Sequence, residues 1–320
     1  MTHYDEHFGW SPNPAATAAY VGSLPEPTIA QTLLAGAPQE RKDAFLWLPL
    51  MSVKPDWKRG AQGIGDCVSW GAELAATMLM AIQAVVHGDA WEAEAATEPI
   101  YGGGRVEANG GRLAGYGDGS YGAAAAKWVR NWGVLLRQDY SAVTGNPDHD
   151  LRFYSKDRAK SWGNFGCGGQ RDERGNGPLD LLARKHPVKA TSLVENAEQL
   201  DAALQSGYPV TVASNVGFGR MARDSNGIVR ASGNWSHQMM FGGVKWLGIN
   251  RLFRLFNSWG KSASGPDPDI VHQAVSDCSW WVTDEDANRM LRQGDSFAFS
   301  DIVGFPPRVL DFQKSSANWG

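Results

Sequence analysis

The sequence predicts an α+β protein of two lobes, a helical lobe followed by a β-rich one. Three observations carry this. The run from Cys67 to His87 holds strong helix formers and no proline, with Val68, Ala72, Ala75, Leu79, Ile82 and Val86 at three- and four-residue steps. A second helical run, 123–132, is closed by Gly133, a residue type that commonly ends helices. From about residue 188 the texture changes to short β-branched and aromatic runs bounded by turn residues, which read as strands. Helical runs followed by strand runs define the α+β class.

In chain order, residues 1–55 are rich in proline and alanine and are expected to form an N-terminal extension packed on the body. Residues 56–187 make the helical lobe. Gly65 and Asp66 stand where its long helix should start, and Gly71 is a weak point within it. Residues 102–122 contain GGG, NGG and GDGSYG, a glycine density that predicts loop. Residues 141–177 are expected to be long surface loops. In the β-rich lobe, 188–305, the runs VKATSLV, PVTVASNVGF, QMMFGGVKWL and RLFRLFNSW predict strands, with a helix over 196–204. Residues 306–320 read as a tail. No fixed-period repeat is visible.

Composition narrows the function classes. The chain has 320 residues, 42 % of them apolar, enough to bury a substantial core. Its 30 basic and 34 acidic residues give a net charge of −4, interspersed in sign, which gives no reason to expect a nucleic acid or an anionic membrane as partner. Val68–Val86 is interrupted by Ser69, Glu73, Thr77 and Gln83 and reads as a buried helix rather than a membrane span. The opening residues lack a basic-then-apolar leader, so no secretion signal is read and a cytoplasmic or virion-associated location is expected. Three scattered cysteines, Cys67, Cys167 and Cys278, suit neither a disulfide framework nor a zinc site. Cys167 reads as a loop thiol and Cys278, beside two tryptophans, as a buried one. No cofactor or metal is expected. Gly260-Lys261-Ser262 is rejected as a phosphate loop, because Leu255 stands where a glycine is needed.

The chemistry concentrates on Cys67. It opens the predicted helix, where unpaired N–H groups and the helix dipole favour a thiolate. A thiolate needs an imidazole partner, held in turn by a third group. His237 precedes an apolar strand-like run, and Asn257 follows another, 20 residues on. These residues can meet only if the two lobes face each other across a cleft. Singly, each reads more plainly as an inert buried thiol, a packed histidine and a turn residue.

Five segments in order resemble the papain-like cysteine proteases: QGIGDCVSWG (62–71), GDGSYGAAAAKWVRNWGVL (117–135), GYPVTVAS (207–214), SHQMMFGGV (236–244) and NSWG (257–260). The resemblance implies a helical lobe bearing the nucleophile on a central helix and an antiparallel β-barrel-like lobe. It implies Cys67 as nucleophile, His237 as base and acid, and Asn257 as the residue orienting the ring, with Trp259 shielding that bond. The Cys67 N–H and the Gln62 amide would form the oxyanion hole. Asp118, Gly119 and Ser120 would border an extended peptide substrate, with the glycines at 109–111 as the rival stretch.

The sequence departs from the family in places. Gln62 stands five residues before Cys67, one fewer than usual. Val68 replaces an aromatic residue, Asp66 a common serine, and Ser236 a common Asp or Asn. A carboxylate at 66 opposes thiolate formation unless it points away or caps the helix. The first 55 residues are shorter than the family's usual inhibitory propeptide, so no zymogen is expected. The leading expectation is a peptidase or related amide hydrolase acting on peptide or protein. Against it stands a structural or binding protein keeping the fold without turnover, such as a virion component in an oligomer or phage particle. That link comes from TEPIYGGGRVE and GDCVSWG, wording similar to phage and bacterial papain-like proteins. A peptidoglycan-cleaving enzyme or a transglutaminase is a third class, and Asn257 argues against it because those enzymes often use aspartate there.

Overall fold

The computed structural model describes residues 8–36, 41–115, 117–166, 179–186, 188–268 and 270–310. Its helices are α1 (Pro14–Gly22), α2 (Trp47–Val53), α3 (Cys67–His87), α4 (Thr97–Arg105), α5 (Gly122–Trp132), α6 (Ser141–Thr144), α7 (Lys156–Phe165), α8 (Asp180–Ala183), α9 (Ala197–Gln205), α10 (Gln273–Cys278) and α11 (Asp284–Leu291). Its strands are β1 (Ala44–Phe45), β2 (Ala190–Leu193), β3 (Val210–Val216), β4 (Asn234–Leu247), β5 (Asn250–Phe256), β6 (Ser279–Thr283) and β7 (Ser296–Ser300). The strands form one antiparallel sheet in the order β2-β7-β3-β4-β5-β6, with β1 added to the far end of β4. The sheet stays open, with β2 and β6 at the ends of that order.

The predicted α+β class holds, with the helical half preceding most of the sheet. α3 begins at Cys67, and its N-terminal half is buried. By length and composition it could cross a membrane, yet 78 % of its apolar window is buried inside the fold. The weak point, Gly71, has a packing reason. A Cβ there would lie 3.0 Å from the Met239 carbonyl and from the Gln238 side chain, so glycine lets α3 press against β4. The Gln238 side chain completes the crossing by donating to the Val68 carbonyl at 2.9 Å. This crossing brings the start of α3 to the strand that carries His237.

Two loop expectations are overturned. Gly102, Gly103 and Gly104 lie inside α4 rather than in a loop. A Cβ on Gly103 would sit 2.2 Å from the Trp128 ring of α5, and one on Gly102 2.9 Å from Trp162 of α7. The helix thus accepts three poor helix formers because large aromatics occupy the missing side-chain space. Within 141–177, residues 156–165 form α7, capped by the Ser155 side chain on the Arg158 N–H. Pattern reading also missed β6 and β7. Both are short, and β7 is buried along its whole length, so neither carries the alternation of a half-exposed strand.

The residues before position 55 lie against the body at several places. β1 pairs with Gly243 and Val244, and the Trp47 ring of α2 packs near Phe256 and Trp281. Earlier still, Gly9–Ser11 run beside Ser120 and Ser236.

Candidate active site

Cys67 sits at the first turn of α3 and is fully buried. Its Sγ accepts a hydrogen bond from the Gln238 backbone N–H at 3.4 Å. The residue next to Gln238 is His237, also fully buried, on β4 opposite Ser214. The His237 Nε2 lies 2.8 Å from Asn257 Oδ1. That oxygen also accepts the Ser258 backbone N–H at 2.8 Å. A backbone N–H only donates, so the atom facing Nε2 is the amide oxygen and Nε2 must carry the proton. In the neutral ring, Nδ1 is then the basic nitrogen. Asn257 is fixed through its own backbone, whose N–H donates to the Cys278 carbonyl at 2.8 Å and whose carbonyl receives Arg59 Nε at 3.2 Å. Trp259 lies over the imidazole with ring centroids 4.7 Å apart.

Gln62 is buried against the same strand end. Its N–H donates to the Ser258 carbonyl at 2.9 Å, and its side chain joins the Ser258 hydroxyl and, at 2.9 Å, the Ile64 carbonyl. Asp118 Oδ2 meets the Gly65 N–H at 3.5 Å. The structure thus brings Gln62, Cys67, His237, Asn257, Trp259 and the 118–120 segment into one neighbourhood. The rival glycines at 109–111 lie in a turn tied by Asn109 to the end of α4. Cys167 falls outside the described residues, and Cys278 is buried.

Asp66 neither points to solvent nor caps the helix with its side chain. It is fully buried, with Oδ2 accepting the Tyr154 hydroxyl at 2.9 Å. Burial pushes its carboxyl up to about 8, against the lowering effect of the Tyr154 bond. Burial likewise pushes the Cys67 thiol up to about 12, helped by the Asp66 charge and opposed by N–H groups of Gln238, Gly9 and Val68. In this closed arrangement the thiol is neutral. A raised carboxyl pKa means that the folded state holds its proton more tightly than the unfolded one. Its stabilising contribution is therefore complete below about pH 4 and is lost as pH rises through about 8. Relative to wild type, Asp66→Asn should gain thermal stability between pH 5 and 9, by roughly several degrees, because it cannot ionise. Melting curves of both proteins across that range check this.

Several residues at the site escaped the sequence reading. Phe8, Gly9 and Trp10 cover it. The N–H groups of Gly9 and Trp10 both donate to the Ser236 carbonyl, at 3.1 and 3.0 Å. Ser120 donates to the Gly9 carbonyl at 2.8 Å and accepts the Ser11 N–H at 2.7 Å, an extended pairing along the glycine-rich segment. The Phe8 ring stands among Trp235, His237 and Trp259, with centroids 5.7–6.2 Å away. The Trp10 indole donates to Asp295 at 2.8 Å, a carboxylate that also accepts the Gly122 and Ala123 N–H groups at the start of α5. No local pattern could have paired Trp10 with a residue 285 positions away. Trp235, two residues before His237, was the one such neighbour within reach of the motif.

No protein-family model matches this sequence, and no curated protein matches it. Solved structures do. A chain from a structure of the mite allergens Blo t 1 and Der p 1 aligns over 94 % of this chain and 82 % of its own, with a TM-score of 0.55 at 13 % identity. Xylellain, a cysteine protease from Xylella fastidiosa, aligns over 94 % of both chains at 15 % identity, with a TM-score of 0.49. The bromelain protease from Ananas comosus aligns over 82 % of this chain and 99 % of its own at 12 % identity, with a TM-score of 0.44. The chain therefore has the two-lobe fold of the papain-like cysteine proteases.

Proposed function

We propose that this chain is a cysteine peptidase that works by acyl transfer through Cys67. The observation that carries the reading is the bond from His237 Nε2 to Asn257 Oδ1, beside a helix-opening cysteine whose sulfur meets the next residue's N–H. With Nε2–H held by Asn257, His237 takes the thiol proton on Nδ1. The sulfur adds to the substrate carbonyl carbon, and the resulting oxyanion draws on the N–H of Cys67 at the helix start and on Gln62. The imidazolium then protonates the leaving amine as the C–N bond breaks, which leaves a thioester on Cys67. Water, deprotonated by the same ring, releases the acid and restores the thiol.

The site stands closed, because Phe8–Gly9 cover the sulfur and Gly9–Ser11 pair along the groove. Slow basal turnover is the expected consequence. Incubating the full chain with a mixture of quenched fluorescent peptides tests the function. Cleavage should be present in wild type and absent in Cys67→Ser. Cleavage that survives in the serine variant would assign it to another site.

A further inference from the structure

We propose that Arg105, with Tyr101, is the positioning residue of the peptide-docking edge, holding Gly115, Gly117 and Gly119 so that Ser120 pairs with an extended backbone. This deepens the peptidase reading and rests on it. Arg105 is the last residue of α4 and is 1 % exposed. Every hydrogen bond its guanidinium donates among the described residues goes to a main-chain carbonyl. Nε reaches Gly163 at 2.8 Å, Nη2 reaches Gly117 at 2.6 Å and Gly115 at 3.3 Å, and Nη1 reaches Gly119. A buried cation without a carboxylate is costly unless fixed dipoles converge on it. Here three of the four carbonyls belong to a single loop.

Tyr101 lies one turn earlier on α4, with its ring 5.3 Å from the guanidinium carbon. Its hydroxyl accepts the Gly119 N–H at 2.9 Å. Gly119 is therefore held at both its N–H and its carbonyl. Gly117 and Gly119 have φ of +74° and +105°, a region glycine alone enters freely, so this loop has much entropy to lose on ordering. A Cβ on Gly119 would lie 2.7 Å from the Gly9 carbonyl, so the edge touches the paired backbone closely. The next residue, Ser120, makes both pairing bonds to Gly9 and Ser11. At its other side the segment abuts the loop before the nucleophile, through Asp118 and Gly65. Any shift of the edge therefore moves a docked peptide relative to Cys67. Lysine cannot replace this fork, because a single ammonium reaches fewer carbonyls in fixed directions.

The test uses the full chain carrying Arg105→Lys or, as a milder change, Tyr101→Phe. Two readouts are compared: amide hydrogen exchange at Ser11 and Ser120, and the ratio of Cys67 modification rates by a peptidyl epoxide and by iodoacetamide. Arg105→Lys should speed exchange at both serines and lower the ratio, each by about tenfold, the effect of losing a hydrogen bond to a charged group. Exchange in α3 and β4 should not change, and Tyr101→Phe should act in the same direction more weakly. Unchanged exchange at the two serines in both variants would overturn the proposal. So would an equal rise across α3 and β4, or an unchanged reagent ratio beside faster serine exchange. If wild-type Cys67 proves inert to both reagents, the peptidase reading falls, while exchange still decides whether Arg105 holds the edge.

Discussion

In His237→Ala, peptide cleavage is expected to fall by about 100- to 10,000-fold, the range associated with losing a positioned general acid–base group. The size follows from the two proton transfers assigned to one ring. The thiol of Cys67 is held neutral by burial, so it depends on Nδ1 to become a nucleophile. The leaving amine depends on the same ring for its proton. Asn257→Ala should cost less, because it removes the ring's orientation rather than its chemistry, and its loss should fall on kcat more than on KM. Steady-state kinetics of both variants on one peptide check this order. A His237→Ala protein that cleaves as fast as Asn257→Ala would contradict it.

Gly9→Ala is expected to act in the opposite direction and activate the site. A Cβ on Gly9 would lie 1.8 Å from the Gly65 carbonyl oxygen, and both atoms belong to main chain that has little room to give. Overpacking of this kind typically costs about 1–3 kcal/mol, which would raise the population with the segment displaced by roughly 5- to 150-fold. Alkylation of Cys67 by iodoacetamide tracks that population when opening is fast, and should rise by the same factor. Trp10→Ala, which removes the anchor on Asp295, should shift the rate in the same direction. Slower or unchanged alkylation in both variants would mean that Phe8–Ser11 do not limit access.

Where the sequence succeeded and failed has a physical pattern. α3 was legible from Cys67 to His87 because its apolar period is strong and unbroken by proline. Strands β3, β4 and β5 were legible because β-branched and aromatic runs end at turn residues. Cys67 opens α3, His237 lies near the start of β4 and Asn257 directly follows β5, so a reading of element ends drew attention to all three. α4 was not legible, since its glycines answer to Trp128 and Trp162, which are distant in sequence. The covering segment and the Arg105 fork were hidden for a related reason. The segment pairs through its main chain and the Arg105 guanidinium donates to main-chain carbonyls, so neither has a partner side chain that a sequence pattern could reveal. Asp66 was noticed as a misfit, but its burial against Tyr154 required the fold.

The central claim is that Cys67 is a nucleophile activated by His237. The most direct measurement is the site and rate of modification by a peptidyl epoxide, read by peptide mass mapping in wild type, Gly9→Ala and Gly9→Ala/His237→Ala. The account predicts a single adduct on Cys67, faster in Gly9→Ala, and lost when His237 is also removed. An adduct on Cys278 at an equal rate, or a Cys67 adduct indifferent to His237, would contradict it.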